Sequence, residues 1–80
     1  MRHHRKLLRR LRALFPPEQR RGVIVERVRD MLGAWWRVMR PLRVVVAGRA
    51  VNGRCAIAES DRRCDALQEA LRRRVREVRA

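Results

Sequence analysis

Arginine is the side chain in this sequence best placed to do chemistry. Of the 22 basic residues, 21 are arginine and one is Lys6, against 8 acids, for a formal charge of +14 over 80 residues. A guanidinium is planar, permanently charged and able to meet a phosphate or carboxylate through two parallel hydrogen bonds. A set of such groups recognises polyanions. The charge is uneven: residues 1–49 hold 14 cations and 3 acids, residues 50–80 hold 8 cations and 5 acids. Six cations, Arg2, Arg5, Lys6, Arg9, Arg10 and Arg12, fall in the first twelve residues with no acid among them. Such a block repels itself until phosphates or an acidic protein surface neutralise it.

Other chemistries find few residues to carry them. There is no phosphate loop, no dinucleotide fingerprint and no zinc-protease motif. The acids are scattered, and Ser60 is the only serine in a chain without threonine or tyrosine. A Cys–His pair would need His3 or His4 to reach Cys55 or Cys64, with no third group to orient it. The same four residues equal a zinc set by count, but the histidines lie some fifty residues from the cysteines. The expectation is therefore no enzyme, no metal and no cofactor. Two cysteines make no disulfide framework of the secreted kind and read as small apolar residues in a reducing compartment. Uninterrupted apolar runs reach only four residues, so neither a transmembrane segment nor a signal peptide is expected.

The elements that must position the arginines follow from spacing. In residues 2–15, Leu7, Leu8, Leu11, Leu14 and Phe15 line one face of a helix, with cations on the rest. Pro16-Pro17 stops it. That apolar face is expected to dock on the core, and lying on an anionic membrane is the alternative. Residues 17–40 read as a second helix opened by Pro17 and Glu18, with Ile24, Val28, Met31, Leu32, Trp35 and Met39 as its stripe. Gly22 and Gly33 each weaken it by about 1 kcal/mol, and the β-branched run at 23–25 leaves a short strand open. Trp35 belongs to the stripe; Trp36 falls beside it, open to a base, a lipid or a protein. Residues 42–58 predict a β-hairpin turning at Asn52-Gly53, the favoured pair for a two-residue turn with positive φ at both positions. One face of that hairpin carries Leu42, Val44, Val46, Ala50, Cys55 and Ile57, and the other presents Arg43, Arg49 and Arg54. Residues 60–79 predict a helix capped by Ser60, with Cys64, Leu67, Leu71, Val75 and Val78 as its stripe.

The expected fold is a single small α+β domain of order α-α-β-β-α. The part from Arg43 to Arg79, a strand, an Asn-Gly turn followed by arginine, a second strand and a helix with a leucine stripe, resembles the small head–tail joining proteins of tailed phages. That resemblance implies a structural subunit seated on a portal ring near packaged DNA. From the residues themselves, the leading expectation is a non-enzymatic nucleic-acid-binding module, on DNA or RNA. Its contacts run to the phosphate backbone through Arg2, Arg5, Lys6, Arg9, Arg10, Arg12, Arg43, Arg49 and Arg54. It would sit in the cytoplasm or within a nucleoprotein particle. The second expectation is an adaptor subunit, as a homo- or hetero-oligomer, in a larger assembly such as a virion or ribonucleoprotein. The third is a peripheral membrane binder through residues 2–15.

Overall fold

A computed structural model describes the backbone of residues 2–80 and the side chains of residues 4–80. Helix α1 spans Arg2–Ala13, and a 3-10 helix follows at Pro17–Gly22. Strands β1 (Ile24–Asp30), β2 (Gly33–Val46) and β3 (Arg49–Ser60) make an antiparallel meander in sequence order, and helix α2 spans Arg63–Arg79. The domain is α+β, with three strands and one N-terminal α-helix where two strands and two helices were expected.

The expected helix over 17–40 is replaced by the 3-10 helix, β1 and the first half of β2. The β-branched residues Val23, Ile24, Val25 and Val28 favour the pleated backbone. The chain then reverses at Met31-Leu32, where the Asp30 carboxylate accepts the Leu32 amide hydrogen at 2.7 Å. The register runs from Ile24 opposite Met39 to Asp30 opposite Gly33. Gly22 packs where a Cβ would lie 3.0 Å from Pro41 Cβ, so a side chain there would push the 3-10 helix off β2.

The second hairpin turns at Ala47-Gly48, with φ of 51° and 77°, and not at Asn52-Gly53. Asn52 and Gly53 lie inside β3, opposite Arg43 and Leu42. Tertiary pairing overrides the local preference. A turn at Asn52-Gly53 would set residue 67 of α2 opposite Val38, leaving the proximal half of β2 without a third strand. The observed turn brings Ala58 opposite Val38, and a bulge beside it lets the adjacent Ile57 and Ala58 both enter the core. Gly48→Val should therefore cost about 1–3 kcal/mol, because a β-branched residue resists positive φ, whereas Gly53→Val should melt within a few degrees of the wild type. Thermal unfolding of the two variants checks this; the reverse order would place the turn at Asn52-Gly53.

The core is Leu11 and Phe15 from the α1 side, Val23, Val38, Ile57 and Ala58 from the sheet side, and Ala66, Leu67 and Ala70 from α2. Even-numbered residues of β2 face the helices: Val38 is buried, and Arg40 reaches the Glu77 carboxylate of α2. Ala66 and Ala70 let α2 approach closely, while Val78, at the far end of the expected stripe, is exposed. Ser60 does not cap α2. It closes β3 opposite Trp36, its hydroxyl accepts the Arg62 amide at 3.3 Å, and Arg62 occupies the cap position. Both tryptophans are half-buried, on opposite faces of the sheet. Trp36 packs against the core with Arg27 and Arg63 over its ring, at 5.7 and 5.4 Å, while Trp35 lies opposite Val28 on the sheet's other face.

Candidate functional site

Pro16 and Pro17 end α1 and turn the chain back beside it. This return brings the 3-10 helix against α1 and opens a cleft of about 440 Å³ lined by Arg5, Leu8, Arg9, Arg12, Ala13 and Arg20. Four guanidinium groups and no carboxylate line it. Arg5 and Arg9 are exposed and one helical turn apart, so they project along one edge. Arg12 and Arg20 are held differently. Arg12 Nε donates to the Val23 carbonyl at 3.0 Å, and Arg20 Nε donates to the carbonyls of Arg12 and Phe15 at 3.2 and 3.1 Å. Each ε nitrogen anchors its guanidinium to the backbone and fixes the plane in which the terminal nitrogens lie. Groups fixed in this way lose less conformational freedom when an anion arrives.

Arg43, Arg49 and Arg54 lie on the β2–β3 ribbon, distributed over its two faces. Arg43 and Arg54 share one face, since their partners are Asn52 and Pro41, while Arg49 pairs with Val46 on the opposite face. None of the three lines the α1 cleft. The nine cations expected to act together, eight arginines and Lys6, therefore divide into two groups. Arg5, Lys6, Arg9 and Arg10 are exposed on α1, Arg12 is half-buried, and the Arg2 side chain lies outside the described residues. Arg20 was not foreseen as a site residue. The double proline shortly before it was the available signal, because it returns the chain along α1.

A further groove between α1 and α2, about 540 Å³, has Ala13, Leu14, Leu71 and Val75 as its floor and Arg10, Arg72, Arg76 and Arg79 as its rim. Other arginines are committed within the fold. Arg74 Nε and Nη2 donate to the Leu14 carbonyl at 3.0 and 2.9 Å, and the guanidinium lies 4.1 Å from the Phe15 ring centre. Arg40 covers Phe15 at 5.0 Å and donates to Glu77 at 2.7 Å. Hydrogen bonds from Arg40 first, and from Arg74, hold the Glu77 carboxyl below the usual carboxylate range. Glu69 is lowered in the same way by Arg72 and Arg73. Glu26 pairs with Arg37 across β1 and β2. The acids thus occupy arginines of the sheet and of α2, and the cleft arginines have no such partner among these pairs.

Cys55 and Cys64 are free, half-buried thiols. Among the described residues no three His, Cys, Asp or Glu side chains are placed to share a metal, and no helix is long and apolar enough to cross a membrane. The architecture defines a small, strongly basic α+β domain. No protein-family model matches the chain, and neither a curated protein nor a solved structure is significantly similar to it.

Proposed function

We propose that the protein is a non-enzymatic nucleic-acid-binding module that grips the phosphate backbone through arginine. The α1 cleft carries this reading. Its four guanidinium groups sit without a carboxylate among them, and two are anchored to the backbone through Nε, so that their terminal nitrogens are not used in those bonds. Phosphate oxygens match that donor geometry, and contacts to the backbone carry little sequence information.

The test is a pair of exposed substitutions, Arg5→Gln with Arg9→Gln. Both side chains stand in solvent, so the fold should melt as the wild type does. Binding to duplex DNA should weaken on unrelated sequences alike, and the slope of log affinity against log salt should fall in magnitude by about two, since each phosphate contributes about 0.9. Unchanged affinity and slope would remove the cleft from the interface. The exposed apolar residues of the ribbon favour the second reading, an adaptor subunit in a larger assembly, and that reading would lead if the wild-type protein bound no nucleic acid.

A further inference from the structure

The β2–β3 ribbon outruns the rest of the sheet. Strand β1 begins opposite Met39, so from residue 42 onward β3 is the only strand beside β2, and Glu18 and Gln19 of the 3-10 helix border a pocket with Leu42 and Arg43 at the ribbon's base. Leu42, Val44 and Val46 continue the core face of β2, yet they are 43%, 41% and 57% exposed, and Val51 on the same face is 49% exposed. On the other face Val45 is 71% exposed. A partner lying flat against one face would cover only part of this set. Enclosure from both sides covers all of it. The charge on the ribbon is of one sign: residues 31–58 contain five arginines, Arg37, Arg40, Arg43, Arg49 and Arg54, and no acid.

We propose that the tip of this ribbon enters the major groove of a B-form DNA duplex. The inference rests on the nucleic-acid reading above and names a second contact and the form of the ligand. A groove about 12 Å wide and 8.5 Å deep admits two strands about 4.8 Å apart. At about 3.4 Å per residue that depth takes two to three residues of each strand. Val45, Val46, Arg49 and Ala50, with the Ala47-Gly48 turn, are the residues that enter. Arg43 then stands about 10 Å behind Val46, level with the phosphates at the groove edge. Arg49, beside the turn, is the cation within reach of base edges, where guanine offers two acceptors to one guanidinium. The valines meet thymine methyl groups. The A-form RNA major groove is too narrow for the same entry.

The experiment compares the wild type, Val45→Ser with Val46→Ser, and Arg5→Gln with Arg9→Gln, on a 20-base-pair DNA duplex, its RNA counterpart and the single DNA strand. Thermal unfolding and sedimentation are measured for each protein. The wild type should prefer duplex DNA to duplex RNA. The serine variant should lose about tenfold or more in affinity for duplex DNA while binding the single strand as before. If the serine variant binds the DNA duplex as tightly as the wild type while the Arg5/Arg9 variant does not, the ribbon inference is overturned and the proposed function stands. If the wild type binds none of the three probes, both are overturned. A wild-type dimer that the serine changes convert to monomer, with duplex affinity intact, would overturn the inference by assigning the ribbon to a second copy of the chain.

Discussion

Phe15→Ala is expected to remove a large share of the domain's stability. The ring is 2% exposed and closes the core where the end of α1 meets α2 and β2. Truncating a buried phenylalanine costs about 3–5 kcal/mol, against a total of about 4–12 kcal/mol for a domain of this length. Here the loss is aggravated by what covers the ring. Arg40 and Arg74 lie against it, and Arg74 also holds the Leu14 carbonyl. Without the ring both guanidinium groups border a void, and the contact that fixes α1 to α2 loses its support. The melting temperature followed by circular dichroism should fall by about 12 °C or more. Phe15→Leu, which keeps most of the volume, should fall by much less. A melting temperature for Phe15→Ala within a few degrees of the wild type would show that α1 is not part of the cooperative core.

Nucleic-acid affinity should collapse with salt. The cleft offers Arg5, Arg9, Arg12 and Arg20, and the ribbon adds Arg43 as a phosphate contact. Four to five neutralised phosphates, at about 0.9 each, give a slope of roughly −3.6 to −4.5 for log affinity against log salt on duplex DNA. Raising salt from 50 to 200 mM should then weaken binding by roughly 150- to 500-fold. Fluorescence anisotropy with a labelled duplex across that range measures it. A slope near zero would mean that the arginines do not meet phosphate, and an acidic protein surface would become the better partner.

Much of the outer frame was legible in the sequence. The leucine spacing and the double proline marked α1, and Leu67 lies in the buried line of α2. The middle was misread for a physical reason. Ile24 and Val28 are four residues apart, as are Trp35 and Met39, and a spacing of four keeps residues on one face of a strand as well as of a helix. All four do share one face, that of the sheet. The β-branched run at 23–25 pointed the right way, but no local signal marked Met31-Leu32 as a turn apart from Asp30 and Gly33 at its flanks. Asn52-Gly53 is the stronger turn pair, and it lost to Ala47-Gly48 because only the latter aligns Ala58 with Val38. That decision depends on β1 already occupying the other side of β2, which a hairpin read in isolation does not contain. The hairpin arginines were correctly placed on strands but wrongly given a common face, and the turn that carried the resemblance to phage joining proteins is not where that resemblance needs it. The cleft was half legible: α1 supplied its cations to the eye, whereas Arg20 joins them only through the chain reversal.

The grip of Arg74 on the carbonyl of Leu14 spans 60 positions of the chain. It ties the earliest helix to the last one, so α1 acquires this anchor only after the whole sheet and most of α2 have left the ribosome. During synthesis the leucines of α1 have no α2 to rest on, and its cations stand ready for any polyanion nearby. Contacts of such long sequence separation slow folding. On the proposed reading, a phosphate chain held by the arginines of α1 would keep that helix in the vicinity of the nascent sheet while the domain matures.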